Sequence, residues 1–143
     1  LIHSHHMEKR IFLMGKTQKI GDVYGRSDIF AIASKSEGFP QGLAEAMSAG
    51  LPSVGLKICG GTNELIQDGK TGFLTDDTVK SFADGLEKLM SDAGLRARSP
   101  EWGKKHISLR WITDRKKCGI SGSSFLILWS DRRRLIRENV IDF

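Results

Sequence analysis

Between about residue 11 and residue 92, the sequence alternates short apolar runs with stretches of helical periodicity, and glycine or proline often separates the two. Continuous apolar runs of four or five residues are typical of strands that are buried on both faces of a sheet. Strands that alternate with helices form parallel sheets with crossover connections. The pattern therefore predicts an α/β fold, a Rossmann-like parallel sheet with flanking helices.

The alternation assigns an element to most of this region. The predicted strands are Ile11–Met14, Ile29–Ala33, Ser53–Leu56 and Gly72–Leu74. The predicted helices are a short one with Ile20, Val23 and Tyr24 on its apolar face, another from Thr62 through Ile66 after a flexible turn at Gly60-Gly61, and a longer one capped by Thr78. The apolar stripe of the longer helix is predicted to be core: Val79, Phe82, Ala83, Leu86, Leu89 and Met90.

Basic charge is concentrated in the last third of the chain. Residues 1–95 carry 10 Lys or Arg against 12 Asp or Glu, whereas residues 96–143 carry 12 against 5, so the net charge of +5 comes from the tail. The tail mixes apolar and basic residues, as in Phe125–Trp129 followed by Arg132–Arg134, and one helix containing Trp102 is predicted near its start. Such mixtures can contact anionic membranes or nucleic acid. A solvated or poorly packed end is the commoner case, and no nucleic-acid partner is predicted.

Cysteine and histidine usage does not indicate a metal site. Cys59 and Cys118 are far apart in the sequence and are interpreted as reduced thiols. The cluster of His3, His5 and His6 could bind a metal, but a solvated end is the commoner explanation. Apolar runs are at most five residues long, against roughly 20 in a membrane-spanning helix, and the first residues do not form a secretory signal. We expect a cytoplasmic location, with peripheral contact at the inner membrane face through the tail as a further option.

The segment 34–47 follows a predicted buried strand and opens a helix, and ligands of open α/β sheets bind at such junctions. Pro40 suits the first turn of a helix, where its missing N–H would be unpaired in any case. The N–H groups of Gln41, Gly42 and Leu43 would then point forward with the positive end of the helix dipole. This arrangement predicts an anion site.

Two glutamates border the same helix start. Glu37 lies on the loop before it, and Glu45 lies inside the helix with its side chain tilted back toward the amino end. An ionised carboxylate accepts hydrogen bonds from two neighbouring hydroxyls, so vicinal sugar diols are suitable partners. Together with the anion site, the two acids fit a nucleoside diphosphate sugar. Two solvated surface glutamates are the alternative that these residues alone leave open.

The run Glu37-Gly38-Phe39-Pro40 through Leu43–Met47, followed by Gly50-Leu51-Pro52, resembles the family 4 retaining glycosyltransferases of the GT-B fold, whose signature is two glutamates separated by seven residues. Further matching positions are Tyr24, Ser27–Phe30, Gly61, Glu64, Asp68-Gly69 and Gly72–Leu74. The resemblance covers about Arg10 to Arg98. It implies that residues 1–98 are part of the C-terminal, donor-binding half of such a fold, and that residues 99–143 are a basic tail unlike the family.

The resemblance also implies roles for individual residues. Glu37, the candidate catalytic residue, would contact and orient the donor hexose, and Glu45 would contact the ribose hydroxyls. The backbone of Gly38 and Phe39 would meet the sugar, that of Gly42 and Leu43 the pyrophosphate, and Pro40 and Gln41 complete the donor-binding set. Gly60 and Gly61 would lie on a loop that faces the same cleft, or else they serve turn geometry alone.

The implied activity is transfer of a hexose from a nucleotide diphosphate sugar to a glycan or lipid acceptor, with retention of configuration and without metal or other cofactor. In this family a front domain holds the acceptor, and it is not recognisable here, so we expect the isolated chain to bind nucleotide weakly and to lack transferase activity. The alternatives are a non-catalytic nucleotide-sugar-binding fragment, a basic interaction protein that acts through its tail, and a nucleotide-sugar epimerase on the same architecture.

Overall fold

The computed structural model describes residues 2–13, 15, 17–97 and, for the backbone, 126–129. The strands are β1 (Ile29–Ile32), β2 (Ser53–Leu56), β3 (Gly72–Thr75) and β4 (Leu126–Trp129). The helices are α1 (Ile20–Arg26), α2 (Gln41–Ser48), α3 (Gly60–Leu65) and α4 (Val79–Ser91), with a single 3-10 turn at His3–His5. A further helical segment covers 93–97.

The sheet has the order β3-β2-β1-β4. β1, β2 and β3 are parallel, with Ala31 opposite Val54 and Val54 opposite Phe73, and each is followed by a helix. β4 runs antiparallel to β1. The predicted α/β fold is therefore confirmed, and the three parallel strands end at one edge of the sheet, where α2 begins shortly after β1.

The hydrophobic core is divided unequally between the two faces of the sheet. Phe30 and Ile32 of β1 belong to the larger cluster, which they share with α1, α2 and the segments that follow α2 and α3. Its buried members are Tyr24, Phe30, Ile32, Leu43, Ala44, Ala46, Met47, Leu51 and Ile66. The smaller cluster is formed by Ile29, Val54 and Leu89. Successive side chains of a strand point to opposite faces, which explains how β1 serves both clusters.

The amino-terminal apolar run is not a strand. Ile11, Phe12 and Leu13 are exposed, Leu13 by 85%, and they adopt no regular structure. The backbone N–H and C=O groups of a strand pair with a neighbouring strand. The positions on both sides of β1 are taken, by β2 and by β4. The prediction of a buried strand at Ile11–Met14 was therefore wrong for the three residues that are described, and Met14 lies outside them.

The strand β4 comes from the basic tail and was not predicted. Its four residues pair with β1 from Ile29 opposite Trp129 to Ile32 opposite Leu126. The other predictions for the tail, the helix near Trp102 and the contacts of Arg132–Arg134, lie outside the described residues. Cys118 lies outside them as well.

α3 begins earlier than the pattern indicates. Gly60 and Gly61 form its first turn, with Cys59 as the N-cap, so they are not the flexible turn that was predicted. Thr62 lies inside the helix rather than at its start. Its hydroxyl is buried and has no hydrogen-bond partner among the described residues.

α4 follows its prediction at the start but not along its whole apolar stripe. The Thr78 hydroxyl accepts a hydrogen bond from the Ser81 N–H at 3.1 Å, as a capping residue should. Only Leu89 of the stripe is buried, whereas Val79 is 89% exposed and Met90 is also exposed. The helix touches the sheet closely at Gly85, where a Cβ would lie 2.7 Å from Thr75 Cγ2. Phe82 and Leu86 are partly buried against the smaller cluster, so the prediction of core was wrong for Val79, Ala83 and Met90, which are exposed.

The amino-terminal histidines and Cys59, whose roles were considered from the sequence, can be located in the described part of the chain. His3, His5 and His6 are exposed, and no group of three or more metal-binding side chains occurs among the described residues. Cys59 is a buried free thiol. Within the same residues, no helix has the length and apolar character needed to cross a bilayer.

Candidate functional site

The candidate site is the junction of β1 and α2. The loop 33–40 leaves the carboxyl end of β1 and carries Glu37, which is half-buried. Pro40 is buried and is the N-cap of α2 with φ −76° and ψ 82°, so it precedes the first turn instead of opening it as predicted. This shift of Pro40 by one position does not change the predicted donors. The helix begins at Gln41, so its first three N–H groups are those of Gln41, Gly42 and Leu43.

The first turn of α2 has unused backbone donors. No side chain caps the helix, and the first backbone bond into it runs from the Ala44 N–H to the Pro40 carbonyl at 3.1 Å. Among the described residues, the N–H groups of Gln41, Gly42 and Leu43 have no hydrogen-bond acceptor. Gln41 and Gly42 are half-buried, so this turn remains reachable from solvent. Such a turn combines aligned donors with the positive end of the helix dipole.

Glu45 lies one turn farther along α2 and points back toward this start. Its Oε1 accepts a hydrogen bond from Gln41 Nε2 at 2.8 Å. This contact places the carboxylate beside the first turn, as its position in the helix predicted. The side chain is half-buried, and the second carboxylate oxygen has further capacity to accept hydrogen bonds.

Tyr24 reaches the same turn from α1. Its hydroxyl donates to the Gly42 carbonyl at 3.3 Å, and its ring makes an edge contact with Phe30 at 6.2 Å between centroids. Burial, and secondly the negative charge of Glu45, raise the pKa of Tyr24 to about 12. The pattern placed Tyr24 on an apolar face and missed this contact. The available signal was that a buried tyrosine hydroxyl usually finds a partner.

α3 packs against the loop that carries Glu37. A Cβ on Gly61 would lie 2.7 Å from Pro40 Cδ and 2.9 Å from the Glu37 carbonyl oxygen, which is closer than a side chain can come. Gly60 is exposed and would meet nothing within 4 Å. Glycine is therefore required at position 61, where α3 comes close to the loop of the candidate site. Neither Gly60 nor Gly61 forms the turn that was predicted, because both lie in α3.

Charged pairs that were not predicted lie at the same edge of the sheet. Lys35, which follows β1, pairs with Asp77 at 2.7 Å, and Lys57, which follows β2, pairs with Asp76 at 3.5 Å. The side chains are largely exposed, so each pair contributes little to stability.

Two surface clefts of about 540 and 300 Å³ lie elsewhere, along α4 and between α4 and β3. The candidate site is therefore identified by its hydrogen-bonding groups and not by either of these clefts.

Comparison with known proteins places the chain in a family. Residues 1–106 match the model for "Glycosyl transferases group 1". The chain is 32% identical over 109 residues to N-acetyl-alpha-D-glucosaminyl L-malate synthase of Bacillus anthracis, which covers 75% of this chain and 28% of the relative. It is 31% identical over 103 residues to UDP-Gal:alpha-D-GlcNAc-diphosphoundecaprenol alpha-1,3-galactosyltransferase of Escherichia coli, which covers 71% of this chain and 26% of the relative.

The fold has solved counterparts. The crystal structure of the pneumococcal O-GlcNAc transferase GtfA in complex with UDP and GlcNAc has a TM-score of 0.64 and 28% identity, over 78% of this chain and 25% of that one. The chain therefore spans about a quarter of the length of the proteins that it matches. The family model covers 106 of the 143 residues, including every element of the candidate site. This chain belongs to the group 1 glycosyl transferases and contains a domain of the GT-B type.

Proposed function

We propose that this chain supplies the donor-binding part of a glycosyltransferase that transfers a hexose from a nucleotide diphosphate sugar to a glycan or lipid acceptor with retention of configuration. The observation that carries the proposal is the first turn of α2, which has no capping side chain and lies beside the carboxylate of Glu45. A ligand with both a diphosphate and vicinal hydroxyls would use these two features together.

The diphosphate would bind at the amides of Gln41, Gly42 and Leu43. These donors have no hydrogen-bond acceptor among the described residues, and the dipole of α2 adds a partial positive charge at the same place. Lys35 and Lys57, which lie at the same edge, pair with Asp77 and Asp76 in the unliganded chain, and their side chains are largely exposed. In the GtfA structure to which this chain is similar, UDP is bound, which supports a nucleoside diphosphate as the ligand class.

The two glutamates would bind the sugars on either side of the diphosphate. Glu45 keeps one carboxylate oxygen on Gln41, and its other oxygen would accept from the ribose hydroxyls. Glu37 lies on the loop before the helix and would accept from hydroxyls of the hexose, with the backbone of Gly38 and Phe39 beside it. Gly61 supports this arrangement, because it lets α3 hold the Glu37–Pro40 loop in place.

The mechanism in this proposal depends on position and charge. The bond between the hexose and the diphosphate breaks as the acceptor oxygen attacks the same face of the sugar, and the departing diphosphate oxygen takes the proton of the acceptor hydroxyl. The amides of α2 would stabilise the negative charge that grows on the leaving group. Glu37 and Glu45 orient the donor without exchanging a proton. The proposal includes no metal or other cofactor.

A non-catalytic nucleotide-sugar-binding module is the second candidate, and the comparisons do not favour it. The two relatives described above are named as a synthase and a galactosyltransferase, so the family match points to an enzyme. Because the chain spans about a quarter of these relatives, binding of the donor is the direct test of its own residues.

The test is calorimetric titration of the whole chain with UDP, GDP and ADP. We expect one of them to bind, and we expect Glu45→Ala to weaken that binding by roughly tenfold, because a charged hydrogen-bond partner is lost. Glu87→Ala is the matched control, since Glu87 is an exposed acid on α4, away from the site. Equal affinity of the Glu45→Ala variant and the unmodified chain would contradict the placement of the ribose, and no binding of any of the three would contradict the proposal.

A further inference from the structure

We propose that Tyr24 is a positioning residue of the donor site: its hydroxyl holds the first turn of α2 so that the free amides and the Glu45 carboxylate meet the nucleotide together. This inference rests on the proposed function. Tyr24 does not belong to the donor-binding set that the sequence pattern indicates, and it acts through the backbone of α2 instead of touching the ligand.

The geometry connects Tyr24 to a residue in the first turn of α2. Its hydroxyl donates to the carbonyl of Gly42, and the N–H of Gly42 is one of the donors that have no acceptor among the described residues. Gly42 lies inside α2, so the Tyr24 bond is an additional contact to a carbonyl that already faces along the helix, at a residue type that weakens a helical turn. Holding this carbonyl fixes the orientation of the peptide that follows, which includes the N–H of Leu43.

The anchor itself is rigid. Tyr24 is only 5% exposed, and its ring packs on Phe30, which is fully buried in β1. The bond to α2 therefore links the turn to the sheet through a side chain that cannot readily change rotamer. α2 has no capping side chain of its own, so this contact replaces part of the local order that a cap would provide.

The electrostatic surroundings keep the hydroxyl in its donating form. Burial and the charge of Glu45 raise the pKa of Tyr24 to about 12, so the group stays protonated near neutral pH. Tyr24 is thus a constant donor, and its proximity to Glu45 places the carboxylate on the same side of α2 as the held turn.

Ser48 provides a matched control. Its hydroxyl donates to the Ala44 carbonyl at 2.8 Å, so it also bonds a backbone carbonyl of α2, but from within the helix. Ser48 is the last residue of α2, whereas Tyr24 acts on the first turn. Removal of either hydroxyl deletes one hydrogen bond to α2, but only one of them bears on the amides of Gln41 to Leu43.

The experiment measures the affinity of the whole chain and of Tyr24→Phe and Ser48→Ala for UDP, GDP and ADP by calorimetry. For the nucleotide that binds, we expect Tyr24→Phe to weaken affinity roughly three- to tenfold, and we expect Ser48→Ala to leave it unchanged. Phenylalanine keeps the ring on Phe30, so thermal unfolding should confirm that the variant is folded. Tyr24 is the sole tyrosine of the chain, so a ¹³Cζ-tyrosine label gives one NMR signal, which should shift when nucleotide is added.

The outcomes separate the two proposals. If the unmodified chain binds none of the nucleotides, the proposed function fails and the role of Tyr24 fails with it. If the chain binds nucleotide and Tyr24→Phe binds it equally well, only the role of Tyr24 is overturned. Equal weakening by Tyr24→Phe and Ser48→Ala would also overturn it, because the bond would then act on helix stability in general.

Discussion

Helices α2 and α4 both begin shortly after a parallel strand of the sheet, but their first turns are completed in different ways. At α4, the Thr78 hydroxyl accepts from the Ser81 N–H, and the Ser81 hydroxyl accepts from the Asp76 N–H at 3.1 Å. At α2, the N-cap is Pro40, and no side chain among the described residues caps the helix. In the first turn of α4, the Ser81 N–H is paired with a hydroxyl of the chain, whereas the N–H groups of Gln41, Gly42 and Leu43 in α2 have no acceptor among the described residues.

The two helices also differ in what holds them on the sheet. α2 buries Leu43, Ala44, Ala46 and Met47 in the larger cluster, whereas α4 buries only Gly85 and Leu89 against the smaller one. An uncapped helix of eight residues is unstable by itself, so α2 depends on tertiary packing. α4 has thirteen residues and a cap, so it has more local stabilisation than α2. Under the proposed function, this packing holds α2 in place while its amino end faces the donor.

The largest expected effect comes from the core under α2. Phe30→Ala should lower the free energy of unfolding by about 3–5 kcal/mol, because it removes the largest fully buried side chain among the described residues and its contact with Tyr24. Leu89→Ala, on the α4 face, should cost about 2 kcal/mol, because its surroundings are partly exposed and can adjust. Urea denaturation of both variants measures the difference. If Leu89→Ala lowered the free energy of unfolding as much as Phe30→Ala does, the α2 and α4 faces of the sheet would not differ in the way described.

Alkaline pH should weaken the α2 face through Tyr24. The pKa of Tyr24 is about 12 in the folded chain, above the ordinary value of 10, so the folded state holds its proton more tightly than the unfolded state does. Its contribution to stability is complete below pH 10 and is lost as pH rises from 10 to 12, by roughly 1–3 kcal/mol. The ordinary pKa of a lysine side chain is about 10.4, so alkaline pH changes more than one kind of group. The measurement is therefore the difference in unfolding free energy between the unmodified chain and Tyr24→Phe, which should shrink over this range and would stay constant if Tyr24 were exposed.

The two glycines of α3 offer a paired test of the loop beside α2. Gly61→Ala should lower the free energy of unfolding by about 1–3 kcal/mol, because a Cβ would overlap Pro40 and the Glu37 carbonyl. Gly60→Ala should have no cost or a slight benefit, since the position is helical and open. Chemical denaturation of the two variants checks the pair. Equal changes in the free energy of unfolding for the two variants would contradict the close packing of α3 against the Glu37–Pro40 loop.

The smallest effect is expected at the cap of α4. Thr78→Ala should lower the free energy of unfolding by about 1 kcal/mol, because the Ser81 N–H loses its acceptor. Thr78→Ser is the control and should retain most of the stability, since it keeps the hydroxyl. Neither variant should change the affinity for nucleotide, and a loss of affinity in Thr78→Ala would indicate that the two helix starts are not independent.

Sequence patterns predicted the parts of this molecule that depend on local chemistry. β2 was predicted with its observed bounds, and the start of α4 at Thr78 was confirmed, because proline, glycine and hydroxyl residues mark these boundaries. The opening of α2 next to Glu45 was also predicted, with Pro40 one position off. The roles of Glu37 and Glu45 remain proposals.

The features that were missed depend on contacts between distant residues. The apolar run Ile11–Leu13 has strand character but does not pair with the sheet, and β4 pairs with β1 from more than ninety residues away. The bond from Tyr24 to Gly42 and the approach of Gly61 to Pro40 likewise join separate elements. Periodicity reports which face of an element is apolar, but not which element will cover it.

The most direct test of the account is an NMR titration of the ¹⁵N-labelled whole chain with whichever of UDP, GDP or ADP binds. We expect the largest changes in chemical shift at the amides of Gln41, Gly42 and Leu43, and no comparable change at those of Val79 to Ser81 at the start of α4. Changes of similar size at both helix starts, or none at Gln41 to Leu43, would contradict the claim that α2 presents its free amides to the diphosphate.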